Sequence, residues 1–109
     1  MLKMIVLLKR KAELTHERFV QHWLEVHAPL AHAVPQIRRY VQSYIITTAS
    51  RPDIPDLPID IDGIAELWFD DMAALEEAAQ TEAMQRLLAD GGTIIGEIKT
   101  FLVTERSII

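Results

Sequence analysis

Among the side chains of this sequence, His27 has the most chemistry open to it. Phe19, Val20, Trp23, Val26, His27, Leu30 and Val34 recur at steps of three and four, which is one face of a helix turned toward a sheet rather than toward water. Burial disfavours the imidazolium, so the ring is expected to titrate below the ordinary histidine value and to serve as a neutral base near pH 7. Pro29 follows two residues later. It has no N–H for the Glu25 carbonyl, so a kink or bulge is expected beside His27. The same placement also fits a core histidine with one satisfied hydrogen bond at a bent helix.

Two further residues join His27 as catalytic candidates. Tyr40 shares strand parity with Gln42 and Tyr44, and a phenol aimed into a pocket can donate to a developing enolate or carboxylate oxygen. Its structural alternative is a strand aromatic whose hydroxyl reaches water. Glu66 interrupts an apolar run between Ile64 and Trp68. A buried carboxylate needs a partner or a raised pKa, so it is either a general acid–base group or an anchor for an arginine or backbone N–H groups. Trp23, Tyr44 and Trp68 are the candidate substrate-binding aromatics, lining a pocket between the first helix and the sheet. Lys9 and Arg10 read as solvated charges at a strand end, with the binding of a substrate carboxylate as the alternative. His16, His22, His27 and His32 fall in or near one helix, but steps of five rotate neighbours by about 140°, so the rings are not expected to converge on a metal.

The elements that must carry these groups are legible. Leu2–Lys9 reads as a strand, and Thr15 caps the helix that bears His27. Pro35 closes that helix. Ile37–Thr48 reads as a second strand. Ser50–Asp62, with prolines at 52, 55 and 58, reads as an exposed, stiff loop, either a functional cover or an inert insertion. Gly63–Phe69 is a third strand. Asp70 or Asp71 caps a helix bearing Met72, Leu75, Ala78 and Ala79, and a second helical stretch, Glu82–Ala89, is expected to stop at Gly91-Gly92. Ile98–Glu105 is the fourth strand. The order β-α-β-β-α-β predicts an α+β, ferredoxin-like domain spanning residues 1–109, with a four-stranded antiparallel sheet and its helices on one face.

Strands one and four are apolar on both parities: Met4, Val6 and Leu8 against Ile5 and Leu7, then Phe101 and Val103 against Leu102. Two helices cover only one face of such a sheet, so a second copy of the chain is expected on the other, giving a homodimer. A net charge of −5 argues against nucleic acid and anionic membranes as partners. The absence of cysteine excludes thiolate chemistry and fits a cytoplasmic location. Met4–Leu8 is too short for a signal peptide and is followed at once by Lys9-Arg10-Lys11; it reads as a buried strand. No run approaches the length of a membrane span.

The segment Phe19-Val20-Gln21-His22-Trp23-Leu24-Glu25-Val26-His27-Ala28-Pro29-Leu30 resembles the W-x-x-x-H-x-P signature of the first helix in EthD-like proteins. Ile37–Gln42, Asp62–Asp70 and Phe101–Glu105 resemble the family's later strands, so the resemblance covers nearly the whole chain. It implies a dimeric α/β barrel and a place among proteins of catabolic clusters, some of them cofactor-free enzymes that isomerise lactones or trim polyketide-like aromatics. In lactone-isomerising relatives the implicated pocket His and Tyr match His27 and Tyr40 here. Some of those relatives also use pocket cysteines, which this chain lacks. The resemblance therefore implies a cofactor-independent acid–base enzyme acting on an apolar or aromatic small molecule, with no metal; the alternative is a non-catalytic dimeric binding or accessory protein.

Overall fold

A computed structural model describes residues 1–109. The order is β1 (Leu2–Arg10), α1 (His16–His22), a π-helical turn (Trp23–His27), α2 (Ala28–Leu30), a 3-10 turn (Ala31–Ala33), β2 (Arg39–Tyr44), β3 (Gly63–Phe69), α3 (Met72–Ala79), α4 (Glu82–Ile94) and β4 (Ile95–Val103). The strands form one antiparallel, open sheet in the order β2-β3-β1-β4. This is the α+β, ferredoxin-like arrangement, with the helices on one face.

Local chemistry sets the helix starts. Thr15, Asp71 and Thr81 each sit in extended geometry and accept from an N–H of the first turn, which satisfies a donor that the helix itself cannot. The middle of the first helical run is less regular. The buried residues Phe19, Trp23, His27 and Ala31 are spaced by fours throughout. A straight α-helix would carry such a stripe progressively around its axis. Here the π turn absorbs the drift: Ala28 N–H reaches back to the Trp23 carbonyl, five residues away, just where Pro29 cannot supply an α-helical bond. The bulge expected beside His27 is this turn. It also pushes Val26 off the buried stripe, to 49% exposure.

Pairing assigns the two sheet faces. Met4, Val6 and Leu8 of β1 stand beside Leu67, Ala65 and Gly63 of β3 and beside Leu102, Thr100 and Ile98 of β4. Tyr40, Gln42 and Tyr44 of β2 share that face, and the helices pack over it. Small residues at the start of β3 make room for the largest side chain beneath: a Cβ on Gly63 would lie 2.5 Å from the Trp23 ring. Trp23, Phe19, Phe69 and Val34 are the fully buried large side chains, and burial of a Phe of this kind contributes about 1.5–3 kcal/mol.

The other face carries Ile5, Leu7, Val41, Ile64, Phe101 and Val103, with a polar cluster at one end. There Trp68 lies between two cations, with Lys3 Nζ and Arg39 Cζ each 4.7 Å from its ring. Trp68 Nε1 donates to Glu105 at 2.6 Å, and Lys3 pairs with Glu105 at 2.9 Å and with Glu66.

Three elements differ from the sequence expectation by more than one residue. The second strand is Arg39–Tyr44 rather than Ile37–Thr48: β2 is an edge, and after Ile45 N–H bonds to the Asp62 carbonyl its only neighbour, β3, has ended. The last helix runs through Gly91 and Gly92 to Ile94, since neither glycine takes a positive φ. The fourth strand accordingly starts at Ile95. The Pro-rich segment is exposed from Ile46 to Asp60 and is tied down at its end. Asp62, 4% exposed, accepts from the Arg10 backbone N–H, the Arg10 guanidinium and the His16 ring, each at 2.8 Å. Arg10 is thus a partner of Asp62 rather than a solvated strand end. Burial opposes ionisation of Asp62, but these donors outweigh it and hold its carboxyl below the usual range.

Candidate functional site

Between the helices and the sheet lies a cavity of about 470 Å³. Its walls come from Val6 and Leu8 of β1, Leu67 and Phe69 of β3, Leu75 of α3 and Leu87 of α4, among other apolar groups. His27 and Tyr40 are the only ionisable side chains that line it. The size falls within the range of small-molecule sites.

His27 arrives there because the π turn ends at it and because α4 leaves a gap. A Cβ on Gly91 would stand 3.3 Å from His27 Cε1, so the imidazole uses space that any side chain would contest. The preceding residue, Asp90, places Oδ2 2.9 Å from His27 Nδ1. A carboxylate can only accept here, so Nδ1 carries the proton and Nε2 of the neutral ring keeps its lone pair. Burial pushes the His27 pKa below the ordinary value, while Asp90 pulls the other way and only partly offsets it. A neutral imidazole of fixed tautomer, at the wall of an apolar cavity, is suited to accept a proton.

Tyr40 is held by an amide chain along β2. Tyr44 donates to Gln42 Oε1 at 2.7 Å, and Gln42 Nε2 donates to the Tyr40 hydroxyl and to the Trp23 carbonyl, each at 2.9 Å. The amide of Gln42 thereby pins the β2 face to the π turn. A phenol that accepts from an amide keeps its own proton for donation. Burial raises the Tyr40 pKa, opposed in part by the Gln42 bond, so Tyr40 stays a neutral donor across the working pH range.

The structure therefore brings together His27, Tyr40 and Trp23, all three of which line the cavity. It does not bring the other candidates with them. Glu66 and Trp68 stand at even positions of β3, whereas Gly63, Ala65, Leu67 and Phe69 face the helices. A strand alternates its side chains, so Glu66 and Trp68 project from the opposite face, into the cluster with Lys3, Arg39 and Glu105. Tyr44 packs edge-on against Trp23 at 5.6 Å and borders a separate, open groove along β2 with Leu24, Ala28 and Gln42. It supports the wall without forming it.

The histidines also differ from expectation. His22 Nε2 lies 3.0 Å from Asp90 Oδ1, so His22 and His27 meet on one carboxylate after all. A five-residue step spreads two rings on an α-helix but nearly realigns them across a π turn. No group of three or more His, Cys, Asp or Glu side chains is placed to hold a metal ion. Sequence reasoning missed Asp90 and Gly91, which it took for the end of a helix. Asp90 lies 63 residues from its partner, and nothing local marks the pairing.

No helix is long and apolar enough to cross a membrane. A search of curated proteins finds no match. Among solved structures, the chain is similar to an ethyl tert-butyl ether D (EthD) family protein of Bacillus halodurans, with a TM-score of 0.77, 21% identity, and coverage of 97% of this chain and 99% of the other. An Arabidopsis thaliana protein superposes with a TM-score of 0.77 at 14% identity, covering 100% and 99%. A dimeric ferredoxin-like protein of unknown function from Thermobifida fusca gives a TM-score of 0.73 at 12% identity, covering 95% and 90%. At such identities these likenesses speak to the fold alone. The EthD domain model matches residues 11–97, which takes in the π turn, His27, Tyr40 and Asp90, and the chain belongs to the EthD family.

Proposed function

We propose that this protein is a homodimeric, cofactor-independent enzyme that moves a proton on a neutral, apolar small molecule. The substrate class is a lactone, an aromatic or a polyketide-like metabolite, and the chemistry is of the isomerase, decarboxylase or dehydratase kind. His27 takes the proton at Nε2, and Tyr40 polarises the oxygen on which charge develops. The observation that carries this reading is the pairing of His27 with Asp90 at 2.9 Å on the wall of an otherwise apolar cavity.

The lining argues for the charge of the substrate. The cavity presents no lysine, arginine or carboxylate, so a charged ligand would enter without a counter-ion and lose its hydration. A carbonyl or enol oxygen needs only the phenol. General acid–base assistance contributes about 10²–10⁴-fold, which suits an activated C–H beside a carbonyl. The apolar lining also supports a second reading, a non-catalytic binding or accessory protein that sequesters such a metabolite.

The homodimer is supported by the apolar positions of the uncovered sheet face and by the dimeric description of the Thermobifida fusca neighbour. Glu66, Trp68 and their partners would then lie at the subunit contact rather than at the chemistry. The deciding experiment screens neutral lactones and aromatic ketones for binding by Trp23 fluorescence and for exchange of the acidic C–H with deuterated water. The enzyme reading expects exchange that His27→Gln reduces by at least ~10², with binding retained. Binding without exchange in the wild-type protein would leave the accessory role.

A further inference from the structure

Three ionisable side chains from three helical segments meet at one point. His22 ends α1, His27 ends the π turn, and Asp90 stands in α4. His22 Nε2 lies 3.0 Å from Oδ1 and 3.2 Å from Oδ2 of Asp90, and His27 Nδ1 lies 2.9 Å from Oδ2. Side-chain exposure falls from 32% at His22 to 16% at Asp90 and 11% at His27. His22 itself lines no part of the cavity.

We propose that His22 is a positioning residue for His27: it grips the Asp90 carboxylate from the outside, so that Oδ2 stays on His27 Nδ1 and Nε2 stays open to the cavity. The inference rests on reading His27 as the proton-transfer group.

The terminal torsion of an aspartate is soft, and a carboxylate with one donor can rotate or turn toward water. Asp90 is partly exposed and would do so. A second donor that reaches both oxygens from the solvent side fixes the carboxylate plane and shields it. The π turn is what makes this possible, since it brings residues 22 and 27 to one side of the helix. The groups facing His27 are then Asp90 from α4, His22 from α1 and Tyr40 from β2 across the cavity. Asp90 favours protonation of the His27 ring, and His22 disfavours it by its own charge.

These opposed effects give the test its sign. The His27 tautomer and titration would be followed by ¹⁵N NMR on the intact chain, in wild type, His22→Ala, His22→Leu and His22→Gln. Wild type is expected to hold His27 as the Nδ1–H tautomer. In His22→Ala and His22→Leu the Asp90 bond loosens, so the ratio of Nδ1–H to Nε2–H falls about tenfold, the size of one lost hydrogen bond. The His27 midpoint then drops, because the group that raised it has withdrawn. His22→Gln can still donate to Asp90 and is expected to keep the wild-type tautomer.

A single Nδ1–H tautomer in His22→Ala or His22→Leu, with a midpoint that rises, would overturn the proposal, since His22 would then act only as a nearby charge. Loss of the tautomer in His22→Gln as complete as in His22→Ala would overturn it too. Either result leaves His27 standing as a base. An Nε2–H tautomer in wild type would instead remove the basis for His27 chemistry itself.

Discussion

Replacing Gly91 and, separately, Gly92 with alanine places the same methyl group at adjacent positions of one helix, in opposite surroundings. Neither glycine has a positive φ, so alanine is compatible with the backbone at both. At residue 92 the added Cβ would meet nothing within 4 Å. The helix propensity of alanine over glycine then appears almost undiluted, a gain of about 0.5–1 kcal/mol. At residue 91 the Cβ would lie 3.3 Å from both His27 Cε1 and Ile95 Cδ1, inside the optimal carbon–carbon separation of about 3.5–4.0 Å. His27 cannot simply back away, because its Nδ1 is tied to the neighbouring Asp90 at 2.9 Å. Overpacking of this kind costs about 1–3 kcal/mol, so the propensity gain is cancelled or reversed. The two variants should therefore differ from each other by about 1–3 kcal/mol, with Gly92→Ala above wild type and Gly91→Ala level with it or below. In a chain of this length each kcal/mol moves Tm by about 4 °C. Calorimetry at one fixed protein concentration reads the difference, and the His27 ring resonances should shift in Gly91→Ala only. Equal stabilisation by both alanines, with the His27 signals unmoved, would refute the claim that α4 leaves its gap for the imidazole.

Other expectations follow from the same geometry. The folded-state pKa of His27 is depressed, so its contribution to stability is present above the unfolded value of about 6.5 and is lost as pH falls through the folded value; urea unfolding in that range should be steeper with pH in wild type than in His27→Gln. The low Asp62 pKa works likewise at lower pH: Asp62→Asn should cost about 1.5–3 kcal/mol at pH 7, a deficit that shrinks as acid protonates Asp62 in the wild type. Glu66→Gln should leave ligand affinity unchanged while weakening self-association, since Glu66 pairs with Lys3 on the far face; equilibrium sedimentation and a binding titration separate the two. Ile64→Asp, which puts a carboxylate on the same face, should yield monomers at concentrations where wild type sediments as a dimer.

The strand that best matched its sequence expectation is β3, Gly63–Phe69, where alternation is strong and Asp62 and Asp70 bracket it. Alternation alone does not say which parity faces the helices, so on sequence alone Glu66 and Trp68 group with His27. The discriminating signal was present in Gly63 and Ala65, small residues on one parity opposite a tryptophan on the helix. The bend beside His27 was readable because Pro29 removes a specific hydrogen bond. Its form as a π turn was not, nor was its effect of bringing His22 back beside His27, since a π turn winds less per residue than the α-helix that the spacing implies. Asp90 could not be found locally: its chemistry comes from a contact across the domain, and the glycines after it imitate a helix stop. β2 ended early for a reason outside its own sequence, the end of its only hydrogen-bonding neighbour.

The π turn can also be regarded as one residue more than an α-helix needs between Phe19 and Ala31. Deleting a single residue from Trp23–His27 would restore regular α-helical winding while shortening the run by one position. The helix would gain regularity and Ala31 and Val34 would stay on the face of Phe19, because the residue removed is the extra one; within the turn, however, the Trp23 carbonyl that accepts from Gln42 would lose its present orientation. A repair of local geometry would thus loosen the β2 wall of the site, which Gln42 ties to this turn. Sequence comparison within this family should accordingly treat the length of this segment as a trait in its own right: a relative one residue shorter here presents a different wall to its cavity, even where the Trp and His are both retained.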